Sequence, residues 1–165
     1  MTIISIFHYE GDGLSLFDCG NEELNNYLVK YARQNEHRGF GRTYLAIEGE
    51  EIIGFFTLTA CQASPGTIPI STAKKWPRYP IPGLRIARMA VAKTCQRQGY
   101  GRLLLLAALK RIVPASETIG MAVVVVEPKP EAVGFYRRFG FVPFTVAKGT
   151  YVITLDALIK EMLAS

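Results

Sequence analysis

The sequence predicts an α/β (α+β) fold, a mixed central β-sheet with helices on both faces, in one domain over residues 1–165. The run "RTYLAIEGEEIIGFFTLTAC" holds two apolar strands joined at Gly49 and Glu50, which calls for a hairpin. "MAVVVVE" is an unbroken β-branched run, typical of a strand covered on both faces. Helical patterns stand between such runs and require crossovers. The resulting order, β-α-β-β-β-α-β-α-β, mixes hairpins with crossovers and excludes a pure doubly wound sheet. A chain of 165 residues suffices for a single core that hides roughly 70% of the unfolded surface.

Each element has a local cause. "IISIFHY" reads as the first strand. Asn21 then caps a helix that carries Glu22 and Glu23 in its first turn, where the helix dipole favours anions. Leu24, Tyr27, Leu28, Tyr31 and Ala32 follow at i, i+3, i+4, i+7 and i+8, an apolar stripe. After the hairpin, "SPGTIPISTAKKWPRYPIPG" is rich in Pro and small residues and reads as loop, with one short helix at 71–76. "LRIARMAV" is a strand, and "CQRQGYG" leads from it into a helix over 100–113 that Pro114 ends. Beyond the valine run, Pro130 opens a helix whose inner side is Ala132, Val133, Phe135, Tyr136 and Phe139, and Gly140 closes it. "TYVITL" is the last strand and 156–163 the last helix.

Composition narrows the function. At 49% hydrophobic and 20% charged residues the chain is globular rather than disordered. No apolar run approaches the ~18 residues of a membrane span. The start, "MTIISIFHYEGDG", has no basic flank and no small-residue cleavage site, so a cytoplasmic protein without a membrane partner is expected. Cys19, Cys61 and Cys95 are an odd count with no close pair, which argues against disulfides and against a zinc site; no metal is expected. The net charge of +5 is unevenly spread. No acidic residue lies between Glu51 and Glu117, while that interval holds ten basic ones, from Lys74 to Arg111. A solvated basic face needs no ligand, but so long a stretch without a carboxylate points to an anionic ligand or partner.

The segment "CQRQGYGRLLLL" places a glycine-rich turn at the mouth of a helix. The first N–H groups of a helix have no partners inside it. Glycine lets the backbone bend sharply and lets a ligand come close. Bare N–H groups and the positive end of the dipole make an anion pocket suited to phosphate, and Arg97 and Arg102 add charge. The pattern is not a Walker loop, which needs GxxxxGK[ST], and it lacks the third glycine and distant acid of the dinucleotide fingerprint.

Gln96-Arg97-Gln98-Gly99-Tyr100-Gly101 resembles the Q/R-x-x-G-x-G/A pyrophosphate loop of the GCN5-related N-acetyltransferases (GNAT). The preceding "ARMAV" resembles that family's fourth strand, and "EAVGFYRRFGFVPF" its A-x-x-F-Y-x-x-F-G-F segment. The resemblance covers nearly the whole chain and implies a GNAT-like sheet with a splayed strand pair. It also implies a coenzyme site made of Met89, Ala90, Val91, Gln96, Arg97, Gln98, Gly99, Tyr100, Gly101 and Arg102, with acetyl-CoA as cosubstrate. "LFDCGNEELNNYL", "IIGFFTLTA" and "PIPGLRIARMAV" are similar to the acetyltransferase toxins of bacterial toxin–antitoxin pairs. That narrower likeness implies acetylation of aminoacyl-tRNA, arrest of translation, a ribbon-helix-helix antitoxin as partner, and a possible homodimer.

The chemistry would be direct acyl transfer, since no Ser/His/Asp or Cys/His set is visible for a covalent intermediate. A backbone N–H near Met89–Val91 would steady the carbonyl oxygen, and Tyr136, at the family's F-Y position, would be the general acid for the departing thiolate. No general base is evident. An α-amine, with a reference pKa near ~7.7–8.0, needs less help than a lysine amine at ~10.4, which favours aminoacyl-tRNA as acceptor. An RNA acceptor also suits Lys74, Lys75, Arg78, Arg85 and Arg88 as phosphate contacts, with Trp76 and Tyr79 among them for stacking. Two alternatives stand beside this: a GNAT enzyme acting on a protein N-terminus or a small-molecule amine, and a non-catalytic nucleic-acid-binding domain.

Overall fold

The fold was obtained as a computed structural model, which describes residues 1–64, 66, 76–144 and 148–164. Its strands are β1 (Thr2–Ser5), β2 (Arg42–Glu48), β3 (Glu51–Ala63), β4 (Ile81–Val91), β5 (Val123–Val126), β6 (Val142–Pro143) and β7 (Tyr151–Thr154). They form one mixed sheet in the order β1-β2-β3-β4-β5-β7-β6. The pairs β1/β2, β2/β3, β5/β7 and β6/β7 are antiparallel. The helices are α1 (Glu22–Asn26), α2 (Ala32–Arg38), α3 (Tyr100–Thr118), α4 (Val133–Phe139) and α5 (Leu155–Leu163). The α/β class and the mixed sheet are those expected from the sequence; the two-residue β6 has no counterpart in that reading.

The chain divides into two compact units, Met1–Thr59 with Ile86–Leu109, and Ala60–Arg85 with Lys110–Ser165. Strands β3 and β4 and helix α3 each contribute residues to both. The first unit closes on Ile6, Phe17, Tyr27, Leu28, Leu45 and Phe55. Phe17 meets the Phe55 ring edge-on at 5.6 Å. The second closes on Ala63, Ile81, Val123, Val125 and Val152. All four valines of β5 are buried, as a β-branched run without alternation requires.

Four local expectations need correction. The first strand stops at Ser5, because the Ser5 hydroxyl accepts the Phe7 N–H at 3.3 Å and starts a 3₁₀ turn over Ile6–His8. The stripe from Leu24 to Ala32 is not one regular helix. A π-helical turn, Tyr27–Tyr31, separates α1 from α2, and its wider winding keeps Tyr27, Leu28 and Ala32 buried while turning Tyr31 out to 52% exposure. Asn21 does cap α1, accepting the Leu24 N–H at 3.1 Å. Pro114 does not end its helix; α3 continues to Thr118. Pro114 lacks the N–H that would reach the Lys110 carbonyl, so α3 continues with that one helical bond missing. Beyond the proline, the Ser116 hydroxyl donates to the Val113 carbonyl and the Ile119 N–H to the Ala115 carbonyl. Finally, α5 begins at Leu155, where the Thr154 hydroxyl accepts the Ala157 N–H at 3.2 Å. The short helix expected at 71–76 lies outside the described residues except for Trp76, which sits in a bend.

Candidate active site

In the first unit, the end of β4 and the mouth of α3 are joined by a short, heavily bonded turn. The Ala92 N–H donates to the Ile53 carbonyl at 2.8 Å, and the Lys93 N–H to the Asp18 carbonyl at 2.7 Å. A 3₁₀ turn, Lys93–Cys95, follows. The Gln96 side-chain amide then donates twice, to the Cys19 carbonyl at 2.8 Å and the Val91 carbonyl at 3.0 Å. Gln98 donates to the Thr94 carbonyl at 3.1 Å. Gln96 and Gln98 therefore hold the turn with the side chains expected to face a ligand. The segment they hold on to is itself fixed. The Asp18 carboxylate accepts the Gly20 N–H at 2.8 Å and the Asn25 amide at 3.0 Å, and these bonds hold it below the usual carboxylate range. Asn25 in turn accepts the Cys19 N–H at 2.9 Å.

The backbone of the turn is unusual where a phosphate would sit. Arg97 has φ +62°, the only described residue other than glycine in the left-handed region, and Gly99 has φ +87° with open space where a side chain would begin. Such angles point consecutive N–H groups the same way. Helix α3 starts at Tyr100, so the N–H groups of Tyr100 and Gly101 have no acceptor within the helix. Arg97 and Arg102 are exposed beside them. The Tyr100 hydroxyl donates to Glu48 at 2.6 Å, which draws the Glu48 carboxyl down and pushes the phenol up. Bare amides, a dipole end and two arginines fit a diphosphate. Met89, Ala90 and Val91 form the end of β4 that Gln96 grips. Opposite Ala90, a side chain at Gly54 would begin 2.8 Å from the Ala90 carbonyl, so only glycine allows β3 this approach.

Tyr136 belongs to the second unit, on α4. Its ring is edge-on to Phe135 at 5.1 Å and to Phe141 at 5.4 Å, and it is 6% exposed. Among the described residues its hydroxyl has no hydrogen-bond partner. Among the described residues no side-chain nitrogen or oxygen is both fully buried and unpartnered, so this oxygen keeps a small exposed surface. Burial pushes its phenol well above the ordinary tyrosine value. Gly140, at φ +110°, ends α4 as expected.

The five basic residues expected to meet RNA have different surroundings. Lys74 and Lys75 lie outside the described residues. Arg78 is exposed. Arg85 is ion-paired with Glu127 at 2.5 Å. Arg88 lies over the Tyr27 ring. The supports of this site, Asp18, Asn25, Tyr27 and Glu48, had no signal as such in the sequence: the Asp18 carbonyl, Tyr27 and Glu48 meet Lys93, Arg88 and Tyr100, all distant along the chain, and Asn25 serves the local bend at Asp18 and Cys19.

The sequence matches the family model of the acetyltransferase (GNAT) domain over residues 39–143. The chain belongs to the GNAT acetyltransferase family. This acetyltransferase is 29% identical over 133 residues, 80% of each chain, to the tRNA-acetylating toxin of Mycobacterium tuberculosis. Its fold is similar to that of AtaT complexed with acetyl-methionyl-tRNAfMet, with a TM-score of 0.85 and 25% identity over 99% of both chains. It is likewise similar to AtaTR bound with AcCoA, at TM-score 0.81 and 26% identity over 99% of this chain and 98% of that one. Among the described residues, no helix of this acetyltransferase is long and apolar enough to cross a membrane.

Proposed function

We propose that this acetyltransferase, one domain over residues 1–165, is a toxin that uses acetyl-CoA to acetylate the α-amino group of aminoacyl-tRNA and so blocks translation. The observation that carries the proposal is the braced turn at the mouth of α3, with Arg97 and Gly99 in left-handed backbone, in a chain whose relatives are named for tRNA acetylation. In the reaction the amine nitrogen bonds to the acetyl carbon, the carbon–sulfur bond breaks, the amine loses a proton and the sulfur gains one. Bound acetyl-CoA supplies the acetyl group and the leaving thiolate. The N–H groups at the mouth of α3, with Arg97 and Arg102, hold its diphosphate. A backbone N–H at Met89–Val91 takes the charge that builds on the carbonyl oxygen. Tyr136 provides the proton to sulfur. Its raised pKa keeps it protonated at working pH, transfer is coupled to departure of the thiolate, and the proton that the amine loses to water is matched by one that water returns to the phenolate.

A ribbon-helix-helix antitoxin, a homodimeric assembly and a cytoplasmic site of action belong to the same reading. The direct test is mass spectrometry of charged tRNA after incubation with the protein and labelled acetyl-CoA, with a peptide of free N-terminus in the same mixture. Label on the aminoacyl group supports the proposal. Label on the peptide alone moves the enzyme to a protein acceptor, and no label with tRNA still bound leaves a binding domain. Tyr136→Phe should bind acetyl-CoA normally and lose about 10²-fold or more in turnover, the usual loss for a general acid.

A further inference from the structure

Apart from the turn at Gly99, one more cation is prepared for an anion. Arg88 stands in β4, one residue before Met89–Val91. Its guanidinium carbon lies 3.8 Å from the centroid of the Tyr27 ring. Tyr27 is a fixed platform. It is 6% exposed, lies at 22° to the Phe55 ring with centroids 6.4 Å apart, and opens the π-helical turn Tyr27–Tyr31. Arg88 is half-buried, yet among the described residues none pairs with its charge or accepts from its N–H groups. A cation drawn partly out of water is costly until an anion completes it. Contact with the ring uses none of the guanidinium's N–H donors, and a guanidinium fork matches two oxygens of one phosphate.

We infer that Arg88, held over the Tyr27 ring, is a phosphate-binding site for the acceptor RNA, taking one backbone phosphodiester beside the strand end Met89–Val91. The inference rests on the aminoacyl-tRNA reading above. It separates Arg88 from the other basic residues of the acid-free stretch. Arg85 is paired with Glu127, and Arg78 is exposed with no ring beneath it among the described residues. Coenzyme phosphate is the other source of the same chemistry. The turn at Gly99 already provides amides for it, so Arg88 is assigned to RNA.

The test is binding of charged tRNA to the full chain across a salt series, together with acetyl-CoA kinetics. Arg88→Gln should make the plot of log affinity against log salt shallower by about 0.7–0.9, the increment of one phosphate contact. It should also raise the KM for charged tRNA and leave the KM for acetyl-CoA within about twofold. Arg88→Lys should recover the slope but not the full affinity, because an ammonium lacks the fork. Tyr27 acts through Arg88 as a positioning residue. Tyr27→Phe keeps the ring face and should bind tRNA like wild type. Tyr27→Leu should shift the slope as Arg88→Gln does, with no further shift in the double variant. Thermal melts identify any variant that fails to fold, and Tyr27→Phe keeps the comparison readable. An unchanged salt slope in Arg88→Gln overturns the inference. So does a raised acetyl-CoA KM with tRNA binding intact, which would assign Arg88 to the coenzyme. A wild-type protein that labels no charged tRNA sinks the reading beneath it instead.

Discussion

Burial decides what Tyr136 can do. The ring, enclosed by Phe135 and Phe141, loses water from its phenol, and desolvation favours the uncharged form. The group is therefore a donor that stays loaded, not one that titrates near neutrality. The same shift makes the fold sensitive to alkali. An unfolded tyrosine releases its proton near pH ~10, whereas the folded one still holds it. The stabilisation is whole below that pH and drains away as pH rises towards the folded value. As pH climbs beyond ~10 the wild type should lose stability more steeply than Tyr136→Phe, by an amount that rises towards about 1.4 kcal/mol per pH unit, one proton's worth. Urea unfolding at a series of pH values measures this, and parallel curves for the two proteins would refute it. The identity of Tyr136 and its place on the inner side of α4 were legible in "GFYRRFGF"; the edge-on packing of Phe135 and Phe141 against its ring was not, because ring geometry leaves no mark on residue spacing.

The turn between β4 and α3 shows what a motif conceals at the scale of an element. "QRQGYG" marks a phosphate loop, and its glycines suggest the bend. The two glutamines belong to the segment that the resemblance assigns to the coenzyme, and their side chains donate to main-chain carbonyls of the turn and its neighbours, Gln96 reaching Cys19, a partner 77 positions away. Sequence spacing carries no trace of that bond. Gln96→Ala removes two hydrogen bonds worth about 1 kcal/mol each. It should raise the KM for acetyl-CoA by roughly tenfold and leave kcat within about twofold, as initial rates over a coenzyme series would reveal. An unchanged KM would mean that the turn holds its shape without Gln96. Similar limits apply to α1 and α3. The stripe from Leu24 to Ala32 gave the helix and its buried face, but one wider turn sends Tyr31 out and sets Tyr27 under Arg88. Pro114 is a sound stop signal by itself. It is overridden here, and the helix carries on with the Ile119 N–H donating to the Ala115 carbonyl.

Over the whole molecule, charge is the property that reaches furthest. Net +5, with no acid between Glu51 and Glu117, favours a polyanion over a cationic acceptor. Affinity for charged tRNA should therefore fall steeply with salt, about 0.7–0.9 decades per decade of salt for each phosphate met. A flat response measured by filter binding would argue for a small neutral acceptor. Sequence alone determined the strand and helix types, the glycine turn, the basic interval and the family, because these depend on local periodicity, backbone freedom and composition. Tertiary structure alone decided which polar side chains are spent and which are available. It pairs Arg85 with Glu127, ties Gln96 to Cys19, and lays Arg88 on Tyr27 with no acidic partner among the described residues. The physical reason is that hydrogen bonds, ion pairs and desolvation act through space at a few ångströms, between residues that the chain order leaves far apart.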